Sequence, residues 1–450
     1  MAVKDRPHFQ PELETLPVER LREIQLERFR GVARAVMEHS PLYRDLYGRA
    51  GVEPEEIRSM EDIRRVPMVD REEFQVLYPR GHVSLEPRRL RELHSTAGIR
   101  RGRGILVAAT QQDIDYWADL NARGLWMLGL RPGDTLLNAF PMGITTWGFG
   151  LHYGALKLGM ASLPAGALPV EQLLELFLSA EVRGLCGTPS LAVNLARHVE
   201  RRKLRLAGGS SCRVALLGAE PWSWATRERI EATLGLLAYD HYGMSELLGP
   251  GMSSECEVRD RKFGMHTWAD AFLCECVDPR TGAPVADGEE GELVWTSLVW
   301  QGTPLVRYRS RDLSAITWAT CDCGRTHPRL AAIKGRTDDA VALEGIIVYP
   351  SQVEESLLAF EEAGSHFRII VDRDRRGGDF ITLKVEVKDK AILQEPPLCR
   401  SLERKMRDAV RQATGATPKE VELVPPGGLR KVGGAEEKTA MVRVEDRRPR

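Results

Sequence analysis

The chain has no long apolar run, and nothing in its 450 residues approaches the ~20 needed to span a bilayer. Its first residues, MAVKDRPHFQPELETLPVER, hold no apolar core of a secretory signal, so a cytoplasmic protein is expected. Excess charge is missing too. Lys and Arg number 63 against 64 Asp and Glu, and a formal charge of −1 gives no electrostatic case for nucleic acid or an anionic membrane. Eight cysteines without a signal segment argue against a disulfide scaffold and leave free or metal-bound thiols. No internal repeat or low-complexity stretch competes with a globular reading. With 28% charged and 43% hydrophobic residues the balance is that of a soluble enzyme, and the length calls for two or three domains.

What is present is an alternation of strands and helices. LERFRGVARAVMEHS repeats Leu26, Phe29, Val32, Ala33 and Val36 at helical spacing. DTLLNAF reads as a short buried strand and ASLPAG and VALLGAE as further strands, with helix-like GLHYGALKLGM and SWATRERIEATLG between and after them. This is an α/β pattern, and its ligands are expected beyond the carboxyl ends of the strands. The last hundred residues differ. FRIIVDRDRRGGDFITLKVEVK reads as a hairpin, PLCRSLERKMRDAVRQATG as an amphipathic helix and EVELVPP as a strand. Together they predict a small α+β domain whose boundary falls near KGRTDDAVALEG.

Segments along the whole chain then carry a resemblance. They run from LERFRGVARAVMEHSPLYRDLYGRAGVEPEEIRSMEDIRRVPMVDREEF through DIDYWADLNARG, GLHYGALKLG, LLGAEPW and YGMSELLGPG. DPRTGAPVADGEEGELVWTSL, PLVRYRSRDL, CGRTH and GRTDDAVALEGIIVYPSQVEE follow in order. The chain resembles phenylacetate–CoA ligase-like members of the adenylate-forming acyl/aryl-CoA synthetase superfamily. That resemblance implies an α/β fold with a large multi-layer N-terminal domain, 1–337, and a smaller mobile α+β C-terminal domain, 338–450. It also implies a two-step reaction: a carboxylate attacks the α-phosphate of ATP, and the thiol of CoA then displaces AMP. The implied activity is that of an AMP-forming acid–thiol ligase, with ATP, CoA and a small carboxylate as partners. A homodimer is compatible with it.

The resemblance assigns roles to residues of this chain. Glu246, with Ser245 beside it in YGMSE, falls where metal- and phosphate-contacting groups belong; Mg2+ would offset the triphosphate charge. Tyr242 falls where adenine stacks, Gly243 and Met244 follow it in the nucleotide loop, and Gly218, Ala219, Glu220 and Pro221 form the turn at the adenine edge. Asp312 in YRSRD takes both ribose hydroxyls, a task suited to the two oxygens of a carboxylate. Arg336 reaches ribose or phosphate, and Asp338 is the hinge of the C-terminal domain. Lys438 in AEEKTAMVRV is placed ahead of Lys431 as the lysine bridging carboxylate and α-phosphate. Trp147, Phe149 and His241 line the acid site, whose aromatic and apolar lining suits an aromatic or medium hydrophobic carboxylate.

Three features depart from the simple reading. LHSTAGIRRGRGIL has the shape of a phosphate-cradling loop, yet a gapless match puts the family motif on 97–105. Gly102 and Arg103 are kept there, and every hydroxyl is gone unless Ser95 and Thr96 are brought back. Arg100, Arg101 and Arg103 supply charge instead, so a rebuilt loop is expected. Glu344 stands where a basic residue is usual before a glycine, which weakens the case for CoA. Two further readings therefore stay open: adenylation for a non-CoA acceptor (an amine or a cofactor), or a catalytically impaired nucleotide-binding relative. Finally, Cys321 and Cys323 in CDCG, with Cys256 and either His266 or His327, make a set suited to structural zinc, against a reading as buried thiols.

Overall fold

The computed structural model describes residues 7–76, 85–96, 104–206, 210–337, 341–343, 346–374, 378–429 and 444–448. Two compact units separate along the chain: Met1–Glu220 with Arg229–Ala332, and Ile333–Arg450 with Pro221–Glu228. Among the described residues no helix is long and apolar enough to cross a membrane.

The first unit contains an antiparallel hairpin of β1 (Leu90–Ser95) and β2 (Leu106–Thr110). Its main sheet has a parallel part made of β3 (Thr135–Asn138), β4 (Ala161–Pro164), β5 (Gly184–Gly187), β6 (Val214–Gly218) and β7 (Leu237–Tyr242), in spatial order β4-β3-β5-β6-β7. β3, β4 and β6 are the runs expected from the sequence, β3 and β6 buried and β4 at the edge partly exposed, while β5 and β7 are added by the structure; crossover helices connect them as parallel pairing requires. An antiparallel part follows, built from β8 (Ser253–Glu255), β9 (Met265–Thr267), β10 (Phe272–Val277), β11 (Glu290–Ser297), β12 (Tyr308–Thr317) and β13 (Arg329–Leu330). Their order continues from β7 as β8-β9-β13-β12-β11-β10. The switch from parallel to antiparallel at β7 opens the strand ends that hold the site.

Helix Val18–His39 forms because Leu21, Gln25, Phe29, Val32, Ala33 and Val36 recur on one buried stripe. Helix Gln111–Met127 begins with a capping box in which Thr110 and Asp113 satisfy each other's backbone N–H groups. Asp113 also accepts the N–H groups of Gln301 and Gly302 at 2.8 and 2.9 Å, which pins that helix start to a distant loop. Helix Trp147–Lys157 lies close against it. A Cβ on Gly150 would stand 2.5 Å from Trp117 Nε1, and one on Gly154 would stand 2.5 Å from Asn121 Cβ, so the GLHYG spacing is a packing device.

The second unit contains β14 (Gly335–Arg336), an antiparallel pair of β15 (Val341–Leu343) and β16 (Ile346–Val348), and a four-stranded sheet. In that sheet β17 (Ala363–Arg373) and β18 (Asp379–Val387) form the expected hairpin, β19 (Glu420–Val424) runs parallel to β18, and β20 (Val444–Asp446) runs parallel to β17. Helix Pro396–Thr414 buries Leu402, Met406 and Val410 at four-residue spacing against this core and ends where Gly415 takes a left-handed φ of 77°.

Candidate functional site

The site grows from the carboxyl ends of β6 and β7. Gly218 closes β6, and no other residue fits there: a Cβ would stand 2.2 Å from the His241 carbonyl oxygen and 2.9 Å from the Trp147 indole. Ala219 follows with a left-handed φ of 67°, which turns the chain sharply. The Glu220 carboxylate accepts the Ser190 N–H at 3.1 Å, at the start of helix Pro189–Arg201, and Pro221 is exposed beyond it.

Tyr242 ends β7. Its ring stacks on Trp295 at 5.7 Å and 24°, and its hydroxyl donates to Asp312 Oδ2 at 2.6 Å. Burial, and next the Asp312 charge, push the phenol well above its usual range, so it stays a donor. Asp312 sits on β12, where a register shift between Glu292 and Val294 and a left-handed φ of 68° at Arg311 re-aim the strand. The Asp312 N–H is held by Ser310 Oγ at 3.0 Å.

After Tyr242 the chain turns through Gly243, Met244, Ser245 and Glu246. The Met244 carbonyl accepts N–H groups from Leu247 and Gly249 at 3.0 and 2.8 Å, folding the loop back on itself. Ser245 Oγ receives the hydroxyl of fully buried Thr146 at 3.4 Å. Glu246 pairs with Arg71 at 3.3 Å, and the same guanidinium donates to Thr96 Oγ1 at 3.1 Å. Thr96 in turn exchanges bonds of 3.0 Å with Ile105, joining the two ends of the segment 97–103. A hydroxyl therefore stands at the neck of the phosphate-loop candidate and is tied through Arg71 to Glu246. Nothing in the sequence pattern pointed to Arg71, because a lone arginine before a helix has no signature of its own.

Trp147 and His241 come together under this loop. The indole meets the imidazole edge-on at 6.0 Å and 88°, and lies 5.1 Å from Phe140. His241 is 2% exposed; Nδ1 lies 2.6 Å from Ser254 Oγ, while Nε2 has no hydrogen-bond partner. Burial lowers its pKa to about 3, so the ring is neutral at physiological pH. Phe149 is placed elsewhere, against His94 at 5.2 Å and Tyr153 at 6.1 Å.

A second centre lies on the antiparallel strands. The ligand atoms of Cys256, His266, Cys321 and Cys323 lie within 4.8 Å of one another. Cys256 and Cys321 sulfurs are 3.8 Å apart, and His266 Nε2 is 3.2 Å from Cys323 Sγ. A tetrahedron of ~2.3 Å metal–sulfur bonds sets sulfurs about 3.8 Å apart, so the donors fit zinc in kind and spacing. His266 Nδ1 is held by the His327 carbonyl at 3.2 Å, which turns Nε2 toward the thiols. His327 accepts the Ala269 N–H at 2.9 Å and donates to the Leu13 carbonyl at 3.0 Å, so both its nitrogens are engaged. Of the two histidines left open by the sequence, His266 is the one in the cluster.

Arg336 lies on β14 in the second unit. Gly102, Arg103, Arg100, Arg101, Asp338, Glu344, Lys431 and Lys438 lie outside the described residues.

Comparison with known proteins places this geometry. The family described as AMP-binding enzyme matches residues 106–298, and the AMP-binding enzyme C-terminal domain matches residues 345–448. The phenylacetate–coenzyme A ligase of Thermus thermophilus is 38% identical over 433 residues, covering 93% of this chain and 96% of that protein. That of Escherichia coli is 35% identical over 407 residues, covering 89% and 91%. Among solved structures, a 2-hydroxyisobutyryl-CoA ligase in complex with 2-HIB-AMP superposes with a TM-score of 0.86 at 27% identity, covering 98% of this chain and 93% of that one. The chain belongs to the phenylacetate–coenzyme A ligase family of adenylate-forming enzymes and is an AMP-forming acid–thiol ligase.

Proposed function

We propose that the chain activates a small carboxylic acid with ATP and transfers the acyl group to coenzyme A, using the loop after β7 as its nucleotide site. The observation that carries this reading is Tyr242 at the end of β7, bonded to Asp312, with Glu246 paired to Arg71 in the loop that follows. In the first step a substrate carboxylate oxygen bonds to the α-phosphorus, the α–β bridging P–O bond breaks, and pyrophosphate leaves. In the second, the CoA sulfur bonds to the acyl carbon, the acyl–phosphate C–O bond breaks, and AMP leaves with the thiol proton passing to solvent.

Tyr242, fixed by Trp295 and Asp312, stacks on adenine beside the Gly218–Pro221 turn. Asp312 accepts the ribose hydroxyls, a task suited to the two oxygens of a carboxylate. Glu246 supplies a hard oxygen of the kind Mg2+ prefers, and the cation when bound offsets phosphate charge. Arg71, released from Glu246, is then available to phosphate, as are Ser245, Thr96, Gly102 and Arg103. Arg336 reaches ribose or phosphate, Lys438 stabilises charge at the α-phosphate, and Asp338 is the hinge. The Cys256–His266–Cys321–Cys323 cluster holds a structural zinc ion.

The test is a panel of carboxylic acids assayed for ATP–pyrophosphate exchange and for AMP release with and without CoA. Exchange without CoA, and AMP release that matches CoA consumed one to one, is expected. AMP release indifferent to CoA would favour another acceptor and overturn the second step.

A further inference from the structure

The acid end of the site has a size and a polarity of its own. Trp147 begins helix Trp147–Lys157, and its ring atoms stand 2.9 and 3.1 Å from where a Gly218 side chain would begin. It is 8% exposed and is flanked by Phe140 and His241, so the indole fills the space over the ends of β6 and β7. The residue before it, Thr146, touches Ser245 in the nucleotide loop, so this filled space adjoins the place where the adenylate forms.

The indole meets the ring of His241, whose Nε2 is buried and without a hydrogen-bond partner. A buried polar atom left unpaired is costly; of the several such atoms among the described residues, His241 Nε2 belongs to the ring that packs against Trp147. Its ring partner, Ser254 Oγ, can donate to Nδ1 or accept from it. In the first case Nε2 carries the proton, and in the second it carries a lone pair. A hydroxyl group satisfies either state, because it both donates and accepts.

We infer that the substrate is a compact carboxylic acid bearing a hydroxyl group, with Trp147 limiting its size and His241 Nε2 bonding the hydroxyl. The inference rests on the adenylating function proposed above and names the substrate class for it. A phenyl ring would meet the indole and would leave Nε2 unpaired.

The experiment uses the full chain and measures kcat/KM by pyrophosphate exchange. The panel contains 2- and 3-hydroxy acids of four or five carbons, their deoxy counterparts, benzoate and phenylacetate. At least one hydroxy acid should exceed its deoxy partner by about tenfold or more and should exceed both aryl acids. His241→Leu should bring the hydroxy-to-deoxy ratio close to one, and His241→Gln should restore part of it. Trp147→Gly should raise phenylacetate by about tenfold or more relative to the hydroxy acid, with Trp147→Phe intermediate and better packed. A wild-type preference for phenylacetate or benzoate, or a His241→Gln protein that is folded yet as indifferent to the hydroxyl as His241→Leu, overturns the inference alone. Absence of exchange with every acid overturns the adenylating function and the inference with it.

Discussion

Replacing Asp312 by alanine separates a structural role, its bond to Tyr242, from the ribose-binding role proposed for it. Toward the protein it accepts the Tyr242 hydroxyl at 2.6 Å, and the two residues are 8% and 9% exposed. A hydrogen bond to a charged group is worth about 1.5–3 kcal/mol, and Asp312→Ala leaves the phenol buried without its acceptor. Toward ATP the loss is two ribose hydroxyl bonds of the same kind, so at least about 3 kcal/mol, or more than a hundredfold in Kd. Titration calorimetry with ATP and 2′-deoxy-ATP distinguishes the two. Wild type should bind the deoxynucleotide about tenfold more weakly, reporting one bond of ~1.5 kcal/mol, whereas Asp312→Ala should bind both nucleotides alike. Tyr242→Phe is the control, since it removes the internal bond, keeps the carboxylate, and should retain the penalty for the missing hydroxyl. If Asp312→Ala binds ATP as wild type does, or still discriminates against the deoxynucleotide, the ribose role is wrong and Asp312 only anchors Tyr242.

Elemental analysis should find about one zinc per chain, and Cys321→Ser should lose it with a lower melting temperature; a zinc-free protein of unchanged stability would refute the metal reading. Lys438→Ala should abolish pyrophosphate exchange while thioester formation from a pre-made acyl-adenylate stays nearly intact, and equal loss of both half-reactions would remove its assignment to the α-phosphate. The buried Arg123–Asp270 pair, with bonds of 2.8 and 2.9 Å, should dominate one part of the acid limb of stability. Burial alone would raise the Asp270 pKa, but Arg123 outweighs it and the value falls from 3.8 to about 2. The folded value being the lower, the stabilisation is present above pH ~4 and is lost as pH falls toward ~2. Asp270→Asn should flatten that window and cost about 3–5 kcal/mol at neutral pH by stranding the Arg123 charge, as read from denaturant midpoints at several pH values.

Part of the fold was legible because β3 and β6 are short apolar runs with turn residues at both ends, whereas β7, which holds Tyr, Asp and His, carries no such signature. DTLLNAF and VALLGAE contain β3 and β6, and the period of four in PLCRSLERKMRDAVRQATG marks the buried face of Pro396–Thr414. The loop after β7 was singled out for another reason: YGMSE and YRSRD are local strings that carry the family resemblance, and the structure bonds Tyr242 of the first to Asp312 of the second. What escaped the sequence is what depends on pairing between distant segments. Arg71 joins Glu246 to Thr96 across separations of 175 and 25 residues, and no local pattern records such a bridge. Buried Glu14 and Arg325, bonded at 2.8 Å, are 311 residues apart and read from sequence as two ordinary surface charges. Phe149 and Trp147 looked equivalent on one helix start, but two residues is about 200° of helical turn, which sends their rings to different neighbours.

The same non-local pairing links the two centres. His241 on β7 is in register with Ser254 on β8, Ser254 with His266 on β9, and His266 with Arg329 on β13. One row of the sheet therefore runs from His241 to the Cys–His cluster, with His241 and His266 two strands and roughly 10 Å apart. Strands β8 and β9 have only three residues each, too few ladder bonds to fix their register unaided. A slip of one residue would turn Ser254 to the opposite face and take the partner from His241 Nδ1. Convergence of Cys256, Cys321 and Cys323 on His266 fixes β9 from outside the ladder, and β9 fixes β8 in turn. The Cys–His cluster is thus placed to hold Ser254 opposite His241 by fixing the two short strands between them.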